Sequence, residues 1–130
     1  MGRNILAVIA GIIVWIAFVM ICGLAFRYWP AYEAAAPQMQ FDLAMKIARL
    51  GLSSTGLVIA ALTVWWIRPS RAVELAFGIV LVLAFIPEHY RIWSKFPIWY
   101  HATFFASLIL IPLLVSAVAP RGAQRAAALA

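Results

Sequence analysis

The stretch ILAVIAGIIVWIAFVMICGLAF, residues 5–26, runs for 22 positions without a charged side chain. A helix needs about 20 mostly apolar residues to cross the hydrocarbon of a bilayer, so this segment reads as a transmembrane helix. Three further apolar runs, 50–67, 73–86 and 98–118, carry the same reading along the chain. The third is short, fourteen residues with Glu74 among them, and its helix is expected to borrow from its flanks, starting near Arg71 and continuing through Pro87 toward Trp93. The turn Arg68-Pro69-Ser70-Arg71 is a breaker that should fold the second and third spans into an antiparallel hairpin.

Composition excludes the ordinary alternatives. Of the 130 residues, 67% are hydrophobic and 11% charged, whereas a soluble domain has roughly 45–50% apolar and about 25% charged residues. A chain this small leaves a large share of its surface uncovered, so the apolar excess must face lipid. Disorder requires low hydrophobicity and high charge, the reverse of what is present. The expected fold is an all-α membrane protein: a four-transmembrane-helix bundle with antiparallel neighbours and a kinked fourth helix. The spans are expected over about 5–26, 42–67, 72–93 and 98–118, within one domain over 1–121, followed by a polar, Ala-rich tail over 122–130. Gly2-Arg3 before an apolar run resembles a secretory signal, but 22 residues exceed the usual apolar region of such signals, so a retained helix is expected. Cys22, the one cysteine, allows no internal disulfide.

The chain should be a multi-pass protein of a bacterial inner membrane. Orientation rests on the Lys and Arg of short loops. Arg3, Arg68, Arg71, Arg121 and Arg125 lie on the terminal side; Arg27, Lys46, Arg49, Arg91 and Lys95 lie on the side of the two longer connections, five against five. Glu33, Asp42 and Glu88 share the long-loop side and give its cations partners. The unpaired cations therefore place both termini in the cytoplasm. A balanced count also suits dual insertion as an antiparallel homodimer. The net charge of +6 is spread over both faces without a basic run, which points to headgroup contact and not to nucleic acid.

Polar residues concentrate in two places. Asp42, Lys46, Arg49, Ser53, Gly56, Ala60 and Thr63 recur at steps of four and three and form one stripe of the second span. Charges within a span normally look toward partners or a wet cavity, and small residues let helices approach, so this stripe should face protein. Asp42 and Lys46 can pair at i,i+4, leaving Arg49 in want of an acceptor such as Glu88. The second concentration is 87–101, with Glu88, His89, Arg91, Trp93, Lys95, Trp99, Tyr100 and His101. Tyr28, Trp29, Tyr32, Tyr90, Trp93, Trp99 and Tyr100 crowd the long-loop side, more than an interfacial aromatic belt requires.

His89 and His101 flank the third connection and should lie at similar depth near Glu88. Imidazole beside carboxylate at a half-dry boundary can move protons, which makes Glu88, His89 and His101 the candidate catalytic groups. Two histidines can also hold a haem or a metal, but the depth and the missing third ligand argue against both, and no cofactor is expected. No Gly-rich phosphate loop, nucleophile elbow or metal motif occurs. Glu33, Asp42, Glu74 and Glu88 all fall near span ends, which weakens a proton-coupled exporter. Within the fourth span Pro112 should kink the helix, with Ser107 and Ser116 near enough to help its freed carbonyl. Small pairs Ala7/Gly11, Gly51/Thr55, Ala102/Ala106 and Thr103/Ser107 should close the helices on one another.

These features favour a small, non-enzymatic membrane protein that works through its long-loop face. It either binds an amphipathic ligand (lipid, quinone or isoprenoid) or serves as an accessory subunit of a larger membrane complex. The expected ligand-binding residues are Trp29, Glu33, Asp42, Lys46, Arg49, Glu88, Arg91, Trp93, Trp99 and His101, arranged as a charge-rimmed aromatic cleft. Two alternatives are a membrane-embedded isomerase or hydrolase using Glu88, His89 or His101, and a small transporter or channel as an antiparallel homodimer. The bilayer is a partner in every case, and a homo-oligomer or larger assembly is expected.

Overall fold

The computed structural model describes residues 1–119 and Leu129; Arg121 and the expected tail over 122–130, Leu129 aside, lie outside the described residues. Every regular element among the described residues is helical. The order is α1 (Gly2–Gly23), a 3-10 turn (Leu24–Tyr28), α2 (Pro30–Ala35), a second 3-10 turn (Ala36–Gln38), α3 (Leu43–Ile67), α4 (Arg71–Arg91), a third 3-10 turn (Trp93–Lys95) and α5 (Ile98–Val118). Helices α1, α3, α4 and α5 are long and apolar enough to cross a membrane, and the chain fits a multi-pass integral membrane protein. On α1, Ile5, Ile9, Ile13, Ile16 and Met20 are about half exposed or more, a wide apolar face of the kind that suits lipid.

The boundaries follow local chemistry. Asp42 caps α3 by accepting the Met45 N–H at 2.8 Å, as short acidic side chains do at helix starts. This corrects the expected Asp42–Lys46 pair, because the carboxylate is already engaged with the backbone. Arg68, before Pro69, is extended and ends α3, and Phe96, before Pro97, is extended and precedes α5; a residue before proline disfavours the helical region. Helix α4 passes through Pro87 to Arg91, as the short third run requires. Met39 takes a left-handed φ of 54° and turns the chain from the second 3-10 turn toward α3.

Helix α3 packs on α1 and α5, and α4 packs on α5 and α1. The core between them holds Ala7, Leu57, Ala60, Val64, Phe77, Leu81 and Leu108. Ser53, Gly56 and Ala60 of the expected stripe are buried, while Asp42 at its start is exposed. Close approach is concentrated at three glycines: Gly11 against Val64 and Phe77, Gly56 against Phe18, and Gly78 against the backbone of α5. Of the expected small pairs, Ala7/Gly11 is buried, but Gly51, Thr55, Ala102, Thr103 and Ala106 are exposed. The large residues decide the inward face of α5: His101, Phe104, Leu108, Pro112 and Val115 are buried, which turns Ala102 and Ala106 outward.

At the terminal end, Arg3 Nε donates to the Ile67 carbonyl at 2.8 Å and Arg68 Nε to Asn4 Oδ1 at 3.0 Å, tying the start of α1 to the end of α3. Glu74, in the first turn of α4, is fully buried, and neither of its carboxyl oxygens nor Trp65 Nε1 has a hydrogen-bond partner among the described residues. Ser107 and Ser116 do not serve the carbonyl freed by Pro112. Each donates to the carbonyl three residues back, Phe104 and Leu113, the nearest acceptors a helical serine reaches.

Candidate functional site

At the long-loop end the first and third connections meet. Tyr32, Phe41, Met45, Phe96 and Tyr100 form a separate buried cluster, with ring centroids 4.9 Å apart for Tyr32 and Phe41 and 5.9 Å for Phe41 and Phe96. Arg49 rises into this cluster from α3. Its guanidinium lies 4.8 Å from the Phe41 ring centre and donates to the Tyr32 hydroxyl at 2.6 Å and, at a longer 3.4 Å, to the Tyr100 hydroxyl.

Glu88 does not answer Arg49. It accepts from Arg91, its i+3 neighbour, at 3.1 Å, the one ion pair among the described residues. A pair three residues apart on one helix forms without bringing two helices together, which is why it prevails over the expected cross-helix contact. Among the described residues Arg49 therefore meets neutral oxygens and aromatic faces alone, and a planar guanidinium with five N–H donors retains donors for a further acceptor.

A cavity of about 450 Å³ opens beside this arginine. Its walls are mostly apolar, from Trp15, Val19, Phe26, Leu52, Phe85 and Phe104, with Arg49, Ser53, Glu88, His89, Tyr32 and Tyr100 as polar groups. That volume and lining fall within the range of small-molecule sites, about 300–1,000 Å³ with a few placed polar anchors. Trp15 Nε1 donates to the Ser53 carbonyl at 3.0 Å, joining α1 and α3 along the wall, while Ser53 Oγ is buried without a partner among the described residues.

His89 and His101 meet through their Nδ1 atoms at 2.7 Å. Both are buried. His101 Nε2 lies 3.3 Å from the Trp93 carbonyl, and the Trp93 indole stacks on the His101 ring at 4.5 Å. His89 is stacked on Phe104 at 4.3 Å. Proline supports this geometry at both ends: α4 continues through Pro87 to carry His89, and Pro97 starts α5 so that His101 falls in its first turn.

Among the residues singled out from sequence, Arg49, Glu88 and His89 line the cavity. His101 sits behind His89, and Trp93 covers His101 from outside. Asp42 and Glu33 are exposed, Lys46 is half-buried away from the lining, and Arg91 lies exposed beside Glu88. Trp29 packs on Tyr32 and Trp99 edge-on against Tyr100, so both buttress lining residues. The lining residues not anticipated are Tyr32, Tyr100 and Ser53 among polar groups and Trp15, Phe26, Phe85 and Phe104 among aromatics. Ser53 carried a signal, since it shares the stripe with Arg49; Tyr32 and Tyr100 belonged to the aromatic excess.

No protein-family model matches this chain, and no curated protein and no solved structure shows a significant similarity to it. The chemical reading therefore rests on the site itself: a guanidinium short of an acceptor, a hydrogen-bonded imidazole pair, and an aromatic cavity. No group of three metal-ligating side chains occurs among the described residues.

Proposed function

We propose that this is a non-enzymatic integral membrane protein that holds an amphipathic molecule in the cavity beside Arg49, with an oxygen of its head on the guanidinium and its apolar body against the aromatic walls. Arg49 is the observation that carries the reading. A charge within a span costs a few kcal/mol on insertion scales, and an arginine kept for the fold alone would be expected beside a carboxylate. Here Glu88 is engaged with Arg91, and the partners of Arg49 are two phenols. The unpartnered Ser53 hydroxyl in the same wall adds a second polar group with capacity to spare. In this reading the spans form an antiparallel bundle bent at Pro112, with both termini cytoplasmic. Arg3 and Arg68 support that orientation, since among the described residues both bond to neutral groups.

The test is purification of the full chain from its native membrane followed by lipid extraction and mass spectrometry. One class of amphipath at about one per chain, absent from Arg49→Gln prepared identically, is the expected result. A stoichiometric protein partner with no enriched small molecule would instead make the chain an accessory subunit and end the ligand reading.

A further inference from the structure

The hydrogen bonds of the histidine pair fix what kind of head the cavity accepts, an inference that rests on the ligand reading above. A backbone carbonyl only accepts, so His101 Nε2, 3.3 Å from the Trp93 oxygen, carries its proton there. A neutral imidazole has one N–H, so His101 Nδ1 is a lone pair. The Nδ1 of His89, 2.7 Å away, must then be the donor. That leaves His89 Nε2 without a proton. Of the two histidines only His89 lines the cavity, and its Nδ1 is spent on His101, so the nitrogen it offers a ligand is an acceptor. Stacking on Phe104 holds the ring in that attitude. His101 acts through His89 and is a positioning residue.

We infer that the ligand head is a hydroxy-aromatic ring of the phenol or hydroquinone class, which donates its O–H to His89 Nε2. A quinone or an ester offers only acceptors and leaves this nitrogen unmet. A carboxylate has no proton to give, and an ammonium donor is disfavoured by the like charge of Arg49, since the carboxylate in the wall, Glu88, is held by Arg91. A hydroxyl fits, and a second ring oxygen is what Arg49 requires. The rings of Phe85, Phe104 and Tyr100 around the site favour an aromatic head, which packs offset or edge-on against such walls.

Binding of labelled para-nonyloxyphenol to the full chain in lipid nanodiscs tests this, with its methyl ether as competitor; the ether keeps every feature except the donated proton. In the wild-type protein the ether should bind about tenfold more weakly, the cost of covering an acceptor without giving it a donor. His89→Leu should remove that gap by weakening the phenol alone. Nitrogen NMR of labelled histidine should show His89 Nε2 unprotonated, and His101→Leu should release that tautomer and shrink the gap while His89 is intact. Equal binding of phenol and ether to the wild type overturns the donor inference and leaves the amphipath reading standing. Failure of both to bind overturns the hydroxy-aromatic inference, while the copurification experiment decides the amphipath reading separately. A gap that survives His89→Leu, or a protonated His89 Nε2, also overturns the inference, and the latter needs no variant to fold.

Discussion

A Cβ placed on Gly78 would stand 2.5 Å from the carbonyl oxygen of Leu108, and that carbonyl is the one Pro112, four residues on, leaves without its helical donor. Without a side chain, Gly78 lets the backbone of α4 close on this carbonyl of α5, where a methyl would not fit. One residue thus sets how near the two helices come at the turn that Pro112 leaves unbonded.

Gly78→Ala should therefore be disruptive although alanine is the better helix former. The methyl meets backbone, which cannot rotate away, and the helices must separate; overpacking of this kind costs about 1–3 kcal/mol. Gly51→Ala is the control. Nothing lies within 4 Å of a Cβ there, and the gain in helix propensity should leave it neutral or more stable by about 0.5–1 kcal/mol. Denaturant titration of both variants in one detergent decides, and equal stabilities would contradict the contact.

Trp15→Phe should loosen the cavity wall in a measurable way. The indole N–H is the buried cross-link from α1 to the Ser53 carbonyl, and its ring packs edge-on to Phe85 at 5.0 Å. Phenylalanine keeps much of the packing and loses the donor, at about 0.5–1.5 kcal/mol. Amide exchange at the middle of α1 should rise while exchange in α5 stays as it was.

Four helices long and apolar enough to cross a membrane were legible because lipid imposes one rule, about 20 apolar residues per helix, and each run states it locally. The stripe of Ser53, Gly56 and Ala60 was legible for the same reason, since helical period is a property of neighbours in sequence. Which partner Glu88 chooses was not. Arg49 and Arg91 are both in want of a carboxylate, and only the geometry of α4 against α3 decides between them. Tyr32 and Tyr100 were hidden among aromatics most of which an interfacial belt accounts for, and their excess on one side did not single out which of them turn inward. The proximity of His89 and His101 followed from a hairpin, but their Nδ1 contact, and so the direction of the proton, depends on ring rotations that no spacing encodes. Gly51 and Ala102 misled because small residues mark an interface only where a neighbour uses them.

Glu74→Leu should stabilise the chain. The carboxyl is fully buried, with both oxygens unpartnered among the described residues, and leucine fills a similar volume without a polar group to desolvate. The gain should be about 1–3 kcal/mol, read in the same denaturant titration. Glu74→Gln keeps an unmet polar group and should gain less. A large loss in Glu74→Leu would mean that the carboxyl has a partner in the membrane-embedded protein.

Arg49→Met separates binding from folding. If the arginine belonged to the scaffold, removing it would strand Tyr32 and Tyr100 and cost several kcal/mol, as breaking a buried ion pair does. Its partners are neutral phenols that line the cavity, and no counter-ion among the described residues is left behind. Methionine keeps an unbranched side chain and brings an apolar thioether toward Phe41 and Phe96, the rings that the guanidinium faces. The variant should therefore unfold within about 0.5 kcal/mol of the wild type or later, because a costly charge has been removed from a span. It should at the same time lose the copurified amphipath and the binding of para-nonyloxyphenol. Stability that is kept or raised while affinity falls is the pattern of a residue retained for function at some expense to the fold. The opposite pair of results, a marked drop in stability with the ligand still bound, would assign Arg49 to the aromatic cluster alone.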